Sequence, residues 1–288
     1  MLFGGYLNQT SCYSFSTLSQ KWTKLQDLPS ERVHHGSAVI GNSVFLVGGW
    51  NNNTVDKYNT VSEEVTRINV GNKPTLSAAR SYSSFGMCVY RGDSLLIASG
   101  CPNNRSEITK SCFLFDTKTQ AVREVGSLND GRAKHVLVNF DDEIFCIGGH
   151  SINWRGVETY FTSIEKFNPI TEEWRISHLK LIKGRFSHQA VAHKQFIYVL
   201  GGNIGLRKRT DTIERIDVSA GQVELLDVKL KHARSDFAVA MVKSDLYIFG
   251  GEGCEDSTEV LNLETLEIKE LPESPDLYYS FTACSLWV

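Results

Sequence analysis

Apolar residues in this chain gather in short unbroken runs, not at every second position or at helical spacing. Residues 44–47 (VFLV), 144–147 (IFCI), 196–200 (FIYVL) and 246–249 (LYIF) are four or five long and rich in β-branched and aromatic side chains. That length and composition predict β-strands, and the missing polar alternation predicts strands covered on both faces. Each run stops at two small residues: Gly4-Gly5, Gly48-Gly49, Ser99-Gly100, Gly148-Gly149, Gly201-Gly202 and Gly250-Gly251. Glycine there permits a turn or a close backbone approach that a Cβ would block.

The pairs recur 44, 51, 49, 53 and 49 residues apart. After each come two apolar anchors spaced by seven: Phe15/Trp22, Tyr58/Val65, Phe115/Val122, Phe167/Trp174, Ile216/Val223 and Leu261/Ile268. Segments such as 116–119 (DTKT) and 168–172 (NPITE) lie between them and suit tight turns. An arginine stands sixteen residues before the first glycine at Arg32, Arg132, Arg185 and Arg234, and Arg80 stands nineteen before Ser99. Another strand-like stretch follows each arginine. Each unit therefore reads as four strands, a to d: the arginine opens a, the small pair closes b, and the anchors belong to c and d. Such a unit, repeated near every fifty residues, predicts a β-propeller.

The two ends complement each other. The chain starts inside a strand b (1–5) and finishes on a strand a (278–286). Joined, they make one blade, which closes the ring and removes two open sheet edges. The prediction is an all-β, six-bladed propeller with four antiparallel strands per blade, a single domain over 1–288. Blade 1 takes 278–288 with 1–28, blade 2 takes 32–70, and blade 3 takes 80–126. Blades 4, 5 and 6 take 132–178, 185–228 and 234–271.

Composition narrows function by exclusion. A net charge of −3 gives no general attraction to nucleic acid. No apolar run reaches membrane-spanning length, and the start lacks a basic stretch followed by an apolar one. Seven cysteines, an odd number with no CxxC pair, predict free thiols in a reducing, cytoplasmic setting. No GxSxG, P-loop or HExxH motif indicates an enzyme class. His35, His135 and His188 each stand three residues after an arginine. Repetition in separate blades accounts for them, so no metal or other cofactor is expected.

Topology says where binding falls. Strand direction alternates, so the b–c and d–a connections emerge on one face. From the second residue of the pair to the first anchor the distance is 10, 9 and 10 in units one, two and six, and 15, 18 and 14 in units three to five. Variable loops on a rigid scaffold are the usual binding elements. The arginines open strand a at that same face. Unit five adds Arg207-Lys208-Arg209, unit four His150, Trp154, Arg155 and Tyr160, and unit three Arg105 and Lys110; unit six is acidic, with Glu252, Glu255 and Asp256. Guanidinium groups around a rim suit carboxylates or phosphates. The expected ligand is an acidic or phosphorylated peptide segment, read by Arg32, Arg80, Arg132, Arg185 and Arg234. The alternative for each arginine is a pairing with a neighbouring blade or a place lining the channel.

These residues resemble the kelch repeat over essentially the whole chain: paired glycines after an apolar strand, then tyrosine and tryptophan at this separation. Tryptophan holds the second anchor only at Trp22 and Trp174, and Ser99 replaces one glycine. The resemblance extends to kelch-like adaptors of cullin-RING ubiquitin ligases, in which BTB and BACK regions precede a six-bladed kelch domain. In some of these, arginines of strand a and residues just after the glycine pair read an acidic degron. The matching positions are the five arginines with Trp50, Cys101, His150, Asn203 and Glu252, and Tyr278 stands where a sixth arginine would be. Cullin recruitment is implied only for a product that also carries BTB and BACK regions. Two other readings remain open by resemblance: an actin-binding scaffold, and a sugar-active enzyme such as a sialic acid epimerase, in which Tyr278, His135 or His188 would move protons. The implied partner is a protein.

Overall fold

The seven-residue spacing of the anchors is the span of a c–d hairpin. In the computed structural model, which describes residues 1–68, 82–102 and 108–286, all six anchor pairs are direct cross-strand partners, from Phe15 opposite Trp22 to Leu261 opposite Ile268. The residue after the first anchor shapes the turn. Asn59, Asp116, Asn168, Asp217 and Asn262 each accept a backbone N–H from two or three residues on, the local bond that favours Asn and Asp in turns.

Six antiparallel blades result, each with its strands in the order a-b-c-d, and in blade 3 a fifth strand, Tyr82–Ser83, pairs with the end of strand b. Blade 2 is Gly36–Ile40, Ser43–Val47, Val55–Asn59 and Val65–Ile68. The a strands of neighbouring blades touch at the centre. Blade 4 carries an additional hairpin, His150–Ile152 with Glu158–Tyr160, inside its b–c connection.

Closure is direct. Thr282–Ala283 is strand a of blade 1, paired antiparallel with Leu2–Phe3, and Met1 and Cys284 exchange bonds at 2.7 and 3.0 Å. Six apolar cores fill the six seams between adjacent blades; Leu2, Tyr247 and Phe281 lie in the seam of blades 6 and 1, Phe3, Leu46 and Tyr58 in that of blades 1 and 2. A ring of backbone bonds also circles the axis. His34, Ser84, Lys134, Ser187, Asp236 and Ser280 each donate an N–H to the carbonyl of the preceding member, at 2.7 to 3.1 Å. All six hold left-handed φ angles of 52 to 58°, a conformation uncommon for residues with side chains.

The small pairs join one blade to the next. The N–H of Gly5, Gly100, Gly149, Gly202 and Gly251 donates to the carbonyl of Arg32, Arg132, Arg185, Arg234 and Tyr278 respectively, at 2.8 to 3.1 Å. The first member packs under the ring three residues beyond. A Cβ on Gly201 would meet Phe237 at 2.9 Å and the Arg234 carbonyl at 3.0 Å, at a φ of +57°. Ser99 fits because its hydroxyl accepts the Arg132 N–H at 2.8 Å and lies 2.7 Å from the Arg132 carbonyl. A methyl group has no such bond to make. Gly201→Ala should therefore lower stability by about 1–3 kcal/mol. An unchanged urea midpoint would rule this packing out.

Candidate partner-binding face

The four arginines at sixteen-residue spacing do not reach solvent. Arg32, Arg132, Arg185 and Arg234 are at most 1% exposed, and each is held inside its own blade. Arg32 pairs with Asp56 at 2.7 Å, Arg132 with Glu165 at 2.7 Å, Arg185 with Glu214 at 2.5 Å, and Arg234 with Glu259. The other guanidinium nitrogen donates to the first glycine carbonyl: Gly48 at 2.6 Å, Gly148 at 3.0 Å, Gly201 at 2.9 Å and Gly250 at 2.7 Å. These arginines therefore clamp strands a, b and c together, and the expectation that they read a ligand is corrected on that ground. Burial pushes the Asp56 carboxyl up, but Arg67 and Arg32 outweigh it and hold it below its ordinary range.

Among the described residues, two blades show no clamp. In blade 1 Tyr278, 1% exposed, takes the arginine position and Tyr13 the acid position, with ring centroids 6.2 Å apart. In blade 3, Ser84 occupies the ring position of His34, which puts residue 82, a tyrosine, at the arginine position and Phe113 at the acid position. Arg80 itself lies outside the described residues, as do Arg105 and Glu107. Tyr278 is thus also a core residue; the ligand contact and the proton transfer expected of it are corrected.

The residues that face the channel mouth stand two positions after the arginines. They line a cavity of ≈ 200 Å³ together with His35, His135 and His188. Asp236 is its charged centre: Lys134 Nζ lies at 3.0 Å, Ser187 Oγ donates at 3.0 Å, and His34 Nδ1 is 3.8 Å away. Burial acts to raise the Asp236 pKa, but Lys134 and His34 prevail and keep it below the usual value. The sequence signal for this ring was available in units two, four, five and six, two residues after the arginine, but was masked by mixed chemistry (His, Lys, Ser, Asp).

Around the mouth the b–c connections form a rim. Trp50 is half-buried, its ring 6.5 Å from Tyr6, which stacks on Tyr279 at 5.0 Å. His150 sits on Phe186 at 4.5 Å, and burial pushes its imidazole down to about 4. Asn203 is buried; its backbone pairs with Phe186 and its side chain accepts from Gly205 N–H at 2.9 Å. It shapes the loop and does not face a partner, which corrects its expected role. Trp154, at the hairpin tip, is 86% exposed with Arg155 stacked at 4.5 Å. Arg207 and Leu206 are exposed on the neighbouring loop, which Gly205 anchors against Tyr160. Of the predicted residues, then, the structure places Trp50, His150, Trp154, Arg207 and Glu252 on the rim.

All seven cysteines are free, and burial pushes the thiols of Cys12, Cys88 and Cys112 up to about 12 and of Cys254 to about 11. Those four are protonated at neutral pH. Among the described residues no three His, Cys, Asp or Glu side chains form a metal-binding group, and no helix is long and apolar enough to cross a membrane.

Comparison with known proteins agrees with this architecture. Residues 1–149 match the KLHDC2/KLHL20/DRC7 Kelch-repeats domain, and residues 131–176 match the Kelch motif. Mouse Kelch-like protein 36 is 23% identical over 292 residues, covering 96% of this chain and 46% of that protein. Spermatocyte protein spe-26 of Caenorhabditis elegans is 25% identical over 277 residues, covering 91% and 46%. Human Kelch-like protein 38 is 26% identical over 160 residues, covering 54% and 26%. The chain spans less than half the length of these relatives.

Proposed function

The chain belongs to the kelch-repeat family, and from that premise we propose that its propeller is a protein-binding module that takes a partner segment across the face built by the b–c and d–a connections. The observation that carries this is the distribution of exposed large apolar side chains. Tyr6, Leu7, Ile152, Trp154, Val157, Leu206 and Leu277 all stand on that face, with Leu206 97% exposed. Elsewhere among the described residues the exposed large apolar side chains are scattered: the turn residues Leu18, Val61 and Ile170, and Ile176 and Leu225 on outer strands. Clustered apolar exposure marks interaction surfaces, whereas scattered exposure does not.

In a kelch-like adaptor this face would select the substrate for a ubiquitin ligase, and cullin recruitment would fall to regions outside the match. The free cysteines suit a reducing, cytoplasmic setting. An acidic segment would find its cations on Arg155, Arg207 and Lys208, not on the clamp arginines. Trp154→Ala combined with Leu206→Ala removes the two most exposed apolar groups of the rim without touching the core. Affinity capture with this variant beside the parent should lose a defined set of proteins by at least about tenfold, as expected for aromatic and aliphatic anchors. Identical capture by both would defeat the reading.

A further inference from the structure

Charge is segregated across the rim. The connections of blades 6, 1 and 2 at this face are residues 250–257, 272–278, 4–11, 25–31 and 48–54. These described residues hold Asp27, Glu31, Glu252, Glu255, Asp256, Glu273 and Asp276 and no lysine or arginine; the sequence after blade 2, 69–81, lies outside the described residues and adds Lys73 and Arg80. All seven acids are exposed or half-exposed. Among the described residues, nearby cations are few. Arg209 of blade 5 reaches Glu252 at 3.4 Å, Lys24 reaches Asp27 at 3.8 Å, Arg67 closes onto Asp56, and Lys134 is bound to Asp236 at the mouth. The connections of blades 4 and 5 read the other way, with Arg155, Lys183, Arg207, Lys208, Arg209 and Lys231 against Asp130, Glu158 and Asp211.

The acidic half also holds an aromatic platform. Tyr279, Tyr6 and Trp50 stack in a row at 5.0 and 6.5 Å, with interplanar angles of 24 and 26°. Backbone bonds fix it: Tyr6 N–H donates to Tyr279 at 2.9 Å and Trp50 N–H to Val33 at 2.8 Å. Burial and the neighbouring negative charges, Glu252 and Glu255 among them, raise the Tyr279 pKa, so these carboxylates act at the platform. An aromatic face beside carboxylates attracts a lysine ammonium or an arginine guanidinium by its quadrupole and by Coulomb attraction together.

We infer that the partner segment is bipolar, seating a cationic stretch on the Tyr279–Tyr6–Trp50 platform while its acidic portion lies over Arg155, Arg207 and Lys208. This rests on the loop-face reading above and fixes the orientation of the segment on the propeller. It also differs from a uniformly acidic ligand, which the carboxylates of blades 6, 1 and 2 would repel.

The test uses a random dodecapeptide display library selected on the immobilised propeller. Enriched sequences should carry arginine or lysine above the library average. Their affinity should fall about tenfold with Tyr6→Ala and with Glu255→Gln/Asp256→Asn, and should weaken as salt rises. Circular dichroism melting confirms that these surface variants remain folded. Enrichment of acidic peptides that depend on Arg207→Ala/Lys208→Ala and ignore Tyr6→Ala would overturn the bipolar orientation and leave the loop face standing. No enrichment, or peptides indifferent to every loop substitution, would overturn both.

Discussion

Replacing Arg132 with alanine will lower the free energy of unfolding by about 3–5 kcal/mol, because it strands a buried carboxylate. Glu165 is fully buried and takes 2.8 Å bonds from Asn129 N–H and its side-chain amide besides the 2.7 Å pair with Arg132. The arginine also donates to Gly148 at 3.0 Å and to Ser163 at 3.2 Å, and lies over Phe161 at 4.4 Å. Truncation removes all of these at once and leaves the carboxylate charge with no cation beside it. Equilibrium urea unfolding reads the loss. A variant as stable as the parent would show that the clamp is idle.

The same chain supplies the control. Blade 1 does without the ion pair by carrying Tyr278 and Tyr13 at the two positions, edge to face. The double variant Arg132→Tyr/Glu165→Tyr copies that solution into blade 4. It should recover more than half of the loss, since well-packed apolar groups of similar volume often replace a buried ion pair at little or no cost. If the double variant is as unstable as Arg132→Ala, the clamp is needed for its charge and not for filling the space. Any effect of Arg132→Ala on partner binding should then follow the folded fraction alone.

The ring was legible in the sequence because its determinants are local. The seven-residue anchor spacing is set by one hairpin, the glycine pairs by one close approach, and both repeat six times. The complementary ends announced the shared blade. The clamp was half legible. Its arginines stood out, but their acids lie 24 to 33 residues away, on strand c. A pattern did mark them: two residues before the first anchor stands Asp56, Glu165, Glu214 or Glu259 where the blade has an arginine, and Tyr13 or Phe113 where it has an aromatic. The third unit was aligned on Arg80, nineteen residues before Ser99. Counted from Ser84, the member of the backbone ring, the arginine position belongs to residue 82 and not to Arg80. Rim residues were legible as long connections and as the charges and aromatics they carry, but not their exposure, which arises from blades brought together by closure.

Acid sensitivity should trace to His135 and His188. Both are nearly fully buried, and among the described residues no group stands in good hydrogen-bond geometry to a ring nitrogen of either. Burial, helped by Arg132, keeps His135 well below the ordinary imidazole range, and burial with Arg185 brings His188 down to about 3. The sign follows. Unfolded histidines take up protons below about pH 6.5 while these two stay neutral in the native state. Stability is therefore full above that pH and falls as pH drops towards the folded values, by about 1.4 kcal/mol per pH unit for each histidine. Blades 3, 6 and 1 carry Phe85, Phe237 and Phe281 at the equivalent position, so the fold already accepts a ring that cannot titrate. His135→Phe/His188→Phe should flatten the dependence between about pH 6 and 4 by about 2.7 kcal/mol per unit. Urea unfolding at stepped pH reads it directly. His35, whose Nε2 lies 2.9 Å from Thr282 Oγ1 and whose pKa burial also lowers, supplies a residual slope in both proteins. Parallel curves for parent and variant would mean that these imidazoles protonate in place, inside the intact ring.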